Sequence, residues 1–186
     1  MEVAMARSAT AAPEEALVRY DTTTIVLHWL TALLVGLLWI LGQTNDWWPR
    51  GPLRGGLWSL HVLLGFALMA TLATRVVWRI GPGRALPSAE DGPLRLLARA
   101  THSGLYLLLI AVVGLGLADA LVRGFVLFGA IPLPQVGDQA LRRPINALHE
   151  WAANAVMAVA GLHAAAGLFH HYVRQDGVLG RMWRAS

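Results

Sequence analysis

The chain has 186 residues, of which 56% are hydrophobic and 14% charged, against about 25% charged in an average soluble domain. That argues against a water-soluble monomer, and beside four membrane helices the length leaves no room for a second folded domain. With no cysteine, disulfides, thiolate-bound zinc, iron–sulfur clusters and thioether-attached haem are all excluded. The 15 basic residues are all Arg, and seven His is a high count for so apolar a chain.

Residues 1–19 contain no apolar run of signal-peptide length and read as an uncleaved, disordered tail. From 22 to 43 no charge interrupts the apolar sequence, giving about 33 Å of helix, enough to span the hydrocarbon. The Pro- and Gly-rich NDWWPRGPLRGG that follows breaks the helix, with Trp47 and Trp48 suited to an interfacial belt. A second span runs over 57–80; its Arg75 can snorkel to the interface. After the helix-breaking 81–93 a third span has its uncharged core over 100–118, where Gly114 and Gly116 suggest close approach to a neighbour. The longest connection, 122–144, includes FVLFGAIPLP, too short to cross as a helix and expected in or near the interface. The fourth span starts near Ile145 and ends around Arg174 to Gly177. The expectation is an all-α, integral-membrane four-helix bundle over 20–176 with a C-terminal tail over 177–186.

Four spans put both termini on one side. Arg7, Arg19, Arg75, Arg79, Arg84, Arg95, Arg99, Arg174, Arg181 and Arg184 fall on that side, and Arg50, Arg54, Arg123, Arg142 and Arg143 on the other. Positive charge is retained in the cytoplasm, so both termini are expected there. The net charge of +4 is thereby mostly an orientation signal, and no nucleic-acid partner is needed to explain it.

An ionisable side chain inside a span is costly unless it faces the bundle and has a partner, and every span here carries at least one His. In the fourth, His149 and His163 are 14 residues apart, about 21 Å and almost four full turns, so they share a face. Depth pairs His149 with His61 on the outer side and His163 with His28 on the inner side. Small residues beside them, Gly65, Ala32, Ala153 and Ala160, leave room for a flat macrocycle twice, which points to two non-covalent haem b groups with these four His as axial ligands. The alternatives are His that only bridge helices and zinc, for which acidic ligands are missing at these depths. His102 and His170 suit a quinone site beside the inner haem, where imidazole can hydrogen-bond a carbonyl and relay a proton. His171 joins them as a candidate, against a reading in which it complements the negative end of its helix. Trp29 reads either as a wall of that site or as an interfacial anchor.

The segments RYDTTTIVLHWL (19–30), LHVLLGF (60–66), THSGLYLLLI (101–110), LHEWAAN (148–154) and GLHAAAGLFHHY (161–172) resemble the prokaryotic cytochrome b561 family. These are four-helix dihaem membrane proteins that include superoxide oxidase and are related to the cytochrome b subunits of hydrogenases and formate dehydrogenases. The resemblance implies haem ligation by His28, His61, His149 and His163 in a bacterial inner-membrane protein, and electron transfer from periplasmic superoxide to ubiquinone. It leaves an alternative, a haem-b membrane anchor and electron conduit for a separate dehydrogenase or hydrogenase, and leaves a redox partner or self-association open. Superoxide is an anion that a basic patch would concentrate. The five outer Arg are nearly balanced by Asp46, Asp119, Asp138 and Glu150, so docking falls to a local cluster, Arg142 with Arg143 and with Arg123 nearby. Propionate pairing or headgroup contact is the other reading of that cluster.

Overall fold

The computed structural model describes residues 19–83, 86–88 and 90–183. The expected N-terminal tail, apart from Arg19, lies outside them, as do Arg7, Arg84 and Arg184. Four helices dominate: α1 (Thr22–Thr44), α2 (Pro52–Ile80), α3 (Gly92–Arg123) and α4 (Arg142–Phe169). All four are long and apolar enough to cross a membrane.

Helices α2, α3 and α4 each start three residues or more before the apolar run that marks them in the sequence. Proline is harmless in a first turn, where its missing N–H has no partner to lose. Pro52, Pro93 and Pro144 all sit in first turns, so prolines that look like breaks mark starts. At α1 the Asp21 side chain caps the helix, accepting from Thr24 N at 2.9 Å and Thr24 Oγ1 at 2.7 Å. The same carboxylate accepts from Trp78 Nε1 at 2.9 Å and so ties the start of α1 to the end of α2.

Hydroxyls within the helices turn back on their own backbone. Thr31, Ser59, Thr71, Thr74 and Thr101 each donate to the carbonyl four residues earlier, the economical arrangement where no water competes. Between helices the polar ties are few. Asn154 of α4 accepts from Trp39 Nε1 at 3.0 Å and Gln43 Nε2 at 3.3 Å, both on α1. The Asn45 amide is fully buried against Trp58 N and Nε1.

The connection between α3 and α4 is more ordered than its sequence suggests. Gly124, at φ 59°, ends α3 in the left-handed conformation. A two-stranded antiparallel hairpin follows, β1 (Val126–Leu127) and β2 (Ile131–Pro132). Phe128 and Gly129 both have positive φ, and Ala130 N bonds Leu127 O, so they form a type I′ turn. Phe128 N also donates to Ser59 Oγ at 2.8 Å, which pins the hairpin to the start of α2. A small β element therefore accompanies the expected all-α bundle.

At the end carrying both termini, α4 runs into a turn of π-helix at His170–Arg174 and the chain folds back through a 3₁₀ turn at Leu179–Met182. Trp29 Nε1 donates to Met182 O at 2.8 Å and Tyr20 N to Arg181 O at 3.2 Å. Midway along the bundle Leu72, Leu109 and Val156 form a buried cluster, with Val35, Tyr106, Leu108 and Val112 packed against it. Val156 is seven residues from both His149 and His163, so this apolar layer separates the two ends of the bundle.

Candidate functional site

The periodicity that put His149 and His163 on one face of α4 holds, and both turn toward histidines of other helices. At the terminal end the rings of His28 (α1) and His163 (α4) lie 6.2 Å apart between centroids. At the far end His61 (α2) and His149 (α4) lie 6.2 Å apart. The structure therefore brings together both pairs expected from depth. Two imidazole nitrogens that approach a shared metal from opposite sides, each to about 2 Å, place their ring centroids about 6 Å apart, whereas a tetrahedral site brings them to about 5 Å. Both pairs have that separation. His102 of α3 stands 5.2 Å from His163, too close to share a metal in the same way, so at the terminal end the geometry singles out His28 as the partner of His163.

The far-end pair is shaped for a metal-bound flat ring. His149 Nδ1 lies 2.9 Å from Val112 O, which fixes the ring orientation and leaves Nε2 for a ligand. A Cβ on Gly116 would fall 2.9 Å from His149 Cε1, so only glycine lets this ring sit against α3. A Cβ on Gly114 would meet nothing within 4 Å, so of the two glycines singled out in the sequence one makes the close approach and the other does not. His61 Nδ1 is buried and, among the described residues, without a hydrogen-bond partner. Space is open beside Gly65, one turn from His61, where a Cβ would also meet nothing. Imidazole nitrogens, the Trp58 ring beside His61 and the open space at Gly65 fit haem b.

The terminal-end pair has polar company. Arg75, expected to snorkel outward, instead turns into the bundle. Its Nη2 is 3.0 Å from His28 Nδ1 and its guanidinium lies 5.2 Å from the centre of the Tyr106 ring. The reason is geometric: the 14-residue offset from His61 puts Arg75 on the bundle-facing side of α2.

Arg123, Arg142 and Arg143, with Asn146, line one cavity of about 390 Å³ at the far end. Arg123 is engaged there, with Nε 2.7 Å from Asp119 and Nη2 2.7 Å from Asn146 Oδ1. Among the described residues Arg142 and Arg143 make no ion pair. The expected docking cluster is thus assembled in space.

The other sequence-selected residues spread over the terminal end. Trp29 packs edge-on against His28 at 5.5 Å and against Trp183 at 5.8 Å. His171 lines a cavity of about 470 Å³ with Tyr172, Gln175 and Gly177. His170 is drawn into an ion network that the sequence did not reveal: Nδ1 is 2.5 Å from Asp176, Nε2 is 3.3 Å from Glu90, and Arg174 pairs with Glu90. The two carboxylates sit on opposite edges of the imidazole, and Arg174 already neutralises one of them. This arrangement suits a hydrogen-bonded chain better than a metal. Desolvation is the largest single influence on the Asp176 pKa and raises it, but hydrogen bonds from His170 and Val178 N and the charges of His170 and Arg174 together outweigh it, holding the carboxyl below its ordinary value.

Comparison with known proteins identifies the family. The profile of the family described as prokaryotic cytochrome b561 matches residues 19–185. The chain is 34% identical to cytochrome b561 homolog 2 of Escherichia coli (strain K12), covering 88% of this chain and 90% of that one. It is 32% identical to the probable superoxide oxidase CybB of Yersinia pestis, over 88% of this chain and 95% of that one. A cytochrome b562 of Cereibacter sphaeroides is 31% identical over 89% and 95%. With four membrane-length helices, paired histidines in the bundle and a match over nearly its whole length, the chain belongs to the prokaryotic cytochrome b561 family, a multi-pass bacterial membrane cytochrome whose role is electron transfer through haem b.

Proposed function

We propose that the chain is a superoxide:ubiquinone oxidoreductase carrying two haem b groups, one held by His61 and His149 and one by His28 and His163. The observation that carries this reading is the pair of 6.2 Å imidazole separations, one at each end of a bundle whose middle is apolar. Haem b supplies reversible one-electron chemistry where it is bound. The net reaction is two superoxide, ubiquinone and two protons giving two dioxygen and ubiquinol. Superoxide loses an electron without breaking a bond, so the protein needs only to dock it.

Arg142 and Arg143, which among the described residues make no ion pair and line the far-end cavity beside the engaged Arg123, supply that docking field. Along α4 the cavity lining extends from Arg142, about two helical turns above His149, to Asn146, less than one turn above it. The similarity to a protein named a probable superoxide oxidase supports the same substrate. At the terminal end His102, touching His163, is the best-placed donor to a quinone carbonyl, with Trp29 as an apolar wall and His170 and His171 nearer the surface for proton exchange. The Arg asymmetry orients the termini to the cytoplasm, so quinone protons come from that side.

The test is to mix superoxide with purified, oxidised protein and follow the haem absorbance, then ubiquinol formation. Haem reduction above the buffer control followed by ubiquinol is expected, and its absence would remove superoxide from the reading. Replacing His149 or His163 with Ala should each remove about one haem of two; full haem content in both variants would refute the ligand assignment.

A further inference from the structure

On α2, His61 and Arg75 are separated by 14 residues, the same spacing as His149 and His163 on α4. Four turns of helix thus carry Arg75 from the depth of one histidine pair to that of the other, on the same face. Histidines of α1, α3 and α4 converge at this level with Arg75 of α2. Among the described residues no Asp or Glu lies within ion-pair distance of Arg75. A membrane-embedded Arg facing the bundle without a counter-ion is costly, and a guanidinium is always charged and only donates.

To accept from Arg75, His28 must offer an unprotonated Nδ1. An imidazole that ligates a metal through its other nitrogen instead keeps this N–H and gives it to an acceptor, as the Val112 carbonyl allows at His149. With His28 as a ligand, Arg75 and the His28 N–H are both donors; the remaining side-chain partner of Arg75, the Tyr106 hydroxyl, is neutral, and among the described residues no anion balances the guanidinium. Haem b carries two carboxylates on its edge, so the group placed here by the proposed ligand set brings the missing anion.

Resting on the reading that His28 and His163 hold a haem, we propose that Arg75 is the counter-cation of a propionate carboxylate of that haem, and that its fixed charge raises the reduction potential of the terminal-end centre. A cation beside a redox centre favours the electron-bearing state, and net charge is among the main levers on haem potential.

The experiment is an optical redox titration of haem-loaded wild type, Arg75→Gln and Arg75→Lys, with haem per chain measured in each. The terminal-end component is identified as the one lost in His28→Ala. In Arg75→Gln its potential should fall by a tenfold shift in the oxidised-to-reduced ratio, about 59 mV for one electron. The far-end component should stay put, and Arg75→Lys should retain most of the wild-type value. Unchanged potentials in Arg75→Gln, or equal shifts in the Gln and Lys variants, would overturn the proposal. If Arg75→Gln fails to fold, the redox-difference infrared spectrum decides, using haem ¹³C-labelled at its propionates. An isotope-sensitive carboxylate band should move between wild type and Arg75→Lys, and an identical band in both overturns the assignment. Failure of the underlying reading shows differently: wild type then has no component that depends on His28, and both proposals fall together.

Discussion

Gly116→Ala should separate the stability of the bundle from the integrity of its far-end site. The new Cβ would lie 2.9 Å from His149 Cε1 and 3.3 Å from Nδ1, while carbon atoms in contact settle at about 3.5–4.0 Å. The ring must therefore withdraw by about 0.6 Å or more. Metal–ligand distances tolerate only about 0.2 Å, and such a shift also strains the 2.9 Å contact of Nδ1 with Val112 O. For the fold the change costs no more than about 2 kcal/mol: alanine gains about 1 kcal/mol of helix propensity over glycine, against about 1–3 kcal/mol for overpacking. The expected protein is helical and membrane-inserted but binds close to one haem per chain instead of two. Haem per chain from the pyridine haemochrome spectrum, read beside circular dichroism, measures both quantities. Gly114→Ala is the control, since its Cβ meets nothing within 4 Å, and it should keep both haems. Two haems in Gly116→Ala, or equal losses in both variants, would refute the reasoning.

Replacing Arg142 and Arg143 together with Gln should slow haem reduction by superoxide and flatten its dependence on ionic strength, because steering by a local field is screened by salt; stopped-flow traces with the wild-type salt dependence would contradict this. Asn154→Leu removes the acceptor shared by Trp39 and Gln43, and interhelical hydrogen bonds in membranes contribute about 0.6–1.7 kcal/mol; a small fall in the thermal midpoint, followed by haem absorbance, is expected, and a rise would count against a structural role for this tie. The pKa of Asp176 is lowered in the folded protein, so the stability it contributes is fully present above the ordinary Asp value and is lost only as pH falls through the depressed one. Hydrogen exchange over 177–183 should therefore stay slow until the pH is below the normal carboxylate range, whereas Asp176→Asn should exchange faster already at neutral pH. Equal exchange in the two proteins at neutral pH would show that Asp176 does not hold this segment.

The histidine pairing was legible because it depends on two quantities that a sequence carries, axial depth and helical phase. His149 and His163 reveal both by themselves, and His28 and His61 need only their distance from a span end. Arg75 was misread because hydropathy sees an arginine five residues from a helix end, where lipid-facing arginines snorkel; its 14-residue offset from His61 was the signal that it faces inward. The choice between Gly114 and Gly116 was also available in phase, since Leu109, Val112 and Gly116 follow one another at helical spacing on the face that meets α4. The hairpin at 126–132 was not legible. Type I′ turns are announced by Asn-Gly or Asp-Gly, and here Phe128 takes the first left-handed position, a conformation rarely adopted by a bulky residue. Nor was the His170 network, because Glu90 approaches from a loop 80 residues away in sequence.

The two histidine pairs have the same spacing but different surroundings, and the difference bears on the direction of electron flow. The far-end pair lies against a carbonyl, two glycines and the Trp58 ring, with its nearest arginines gathered at the helix ends, one of them already engaged by Asp119. The terminal-end pair has a guanidinium inside the bundle, beside the His28 ring, where low dielectric makes a charge act more strongly than at an exposed surface. With haem at both pairs, this asymmetry makes the terminal end the better electron acceptor. It also explains why a positive charge would be tolerated among histidines within a membrane: it favours the arrival of an electron at the end where the quinone is proposed to bind. On this view Arg75→Gln should do more than shift one potential. It should slow ubiquinol formation while leaving the first reduction by superoxide intact, a pattern that stopped-flow measurement of haem reduction and quinone reduction in the same sample would reveal or exclude.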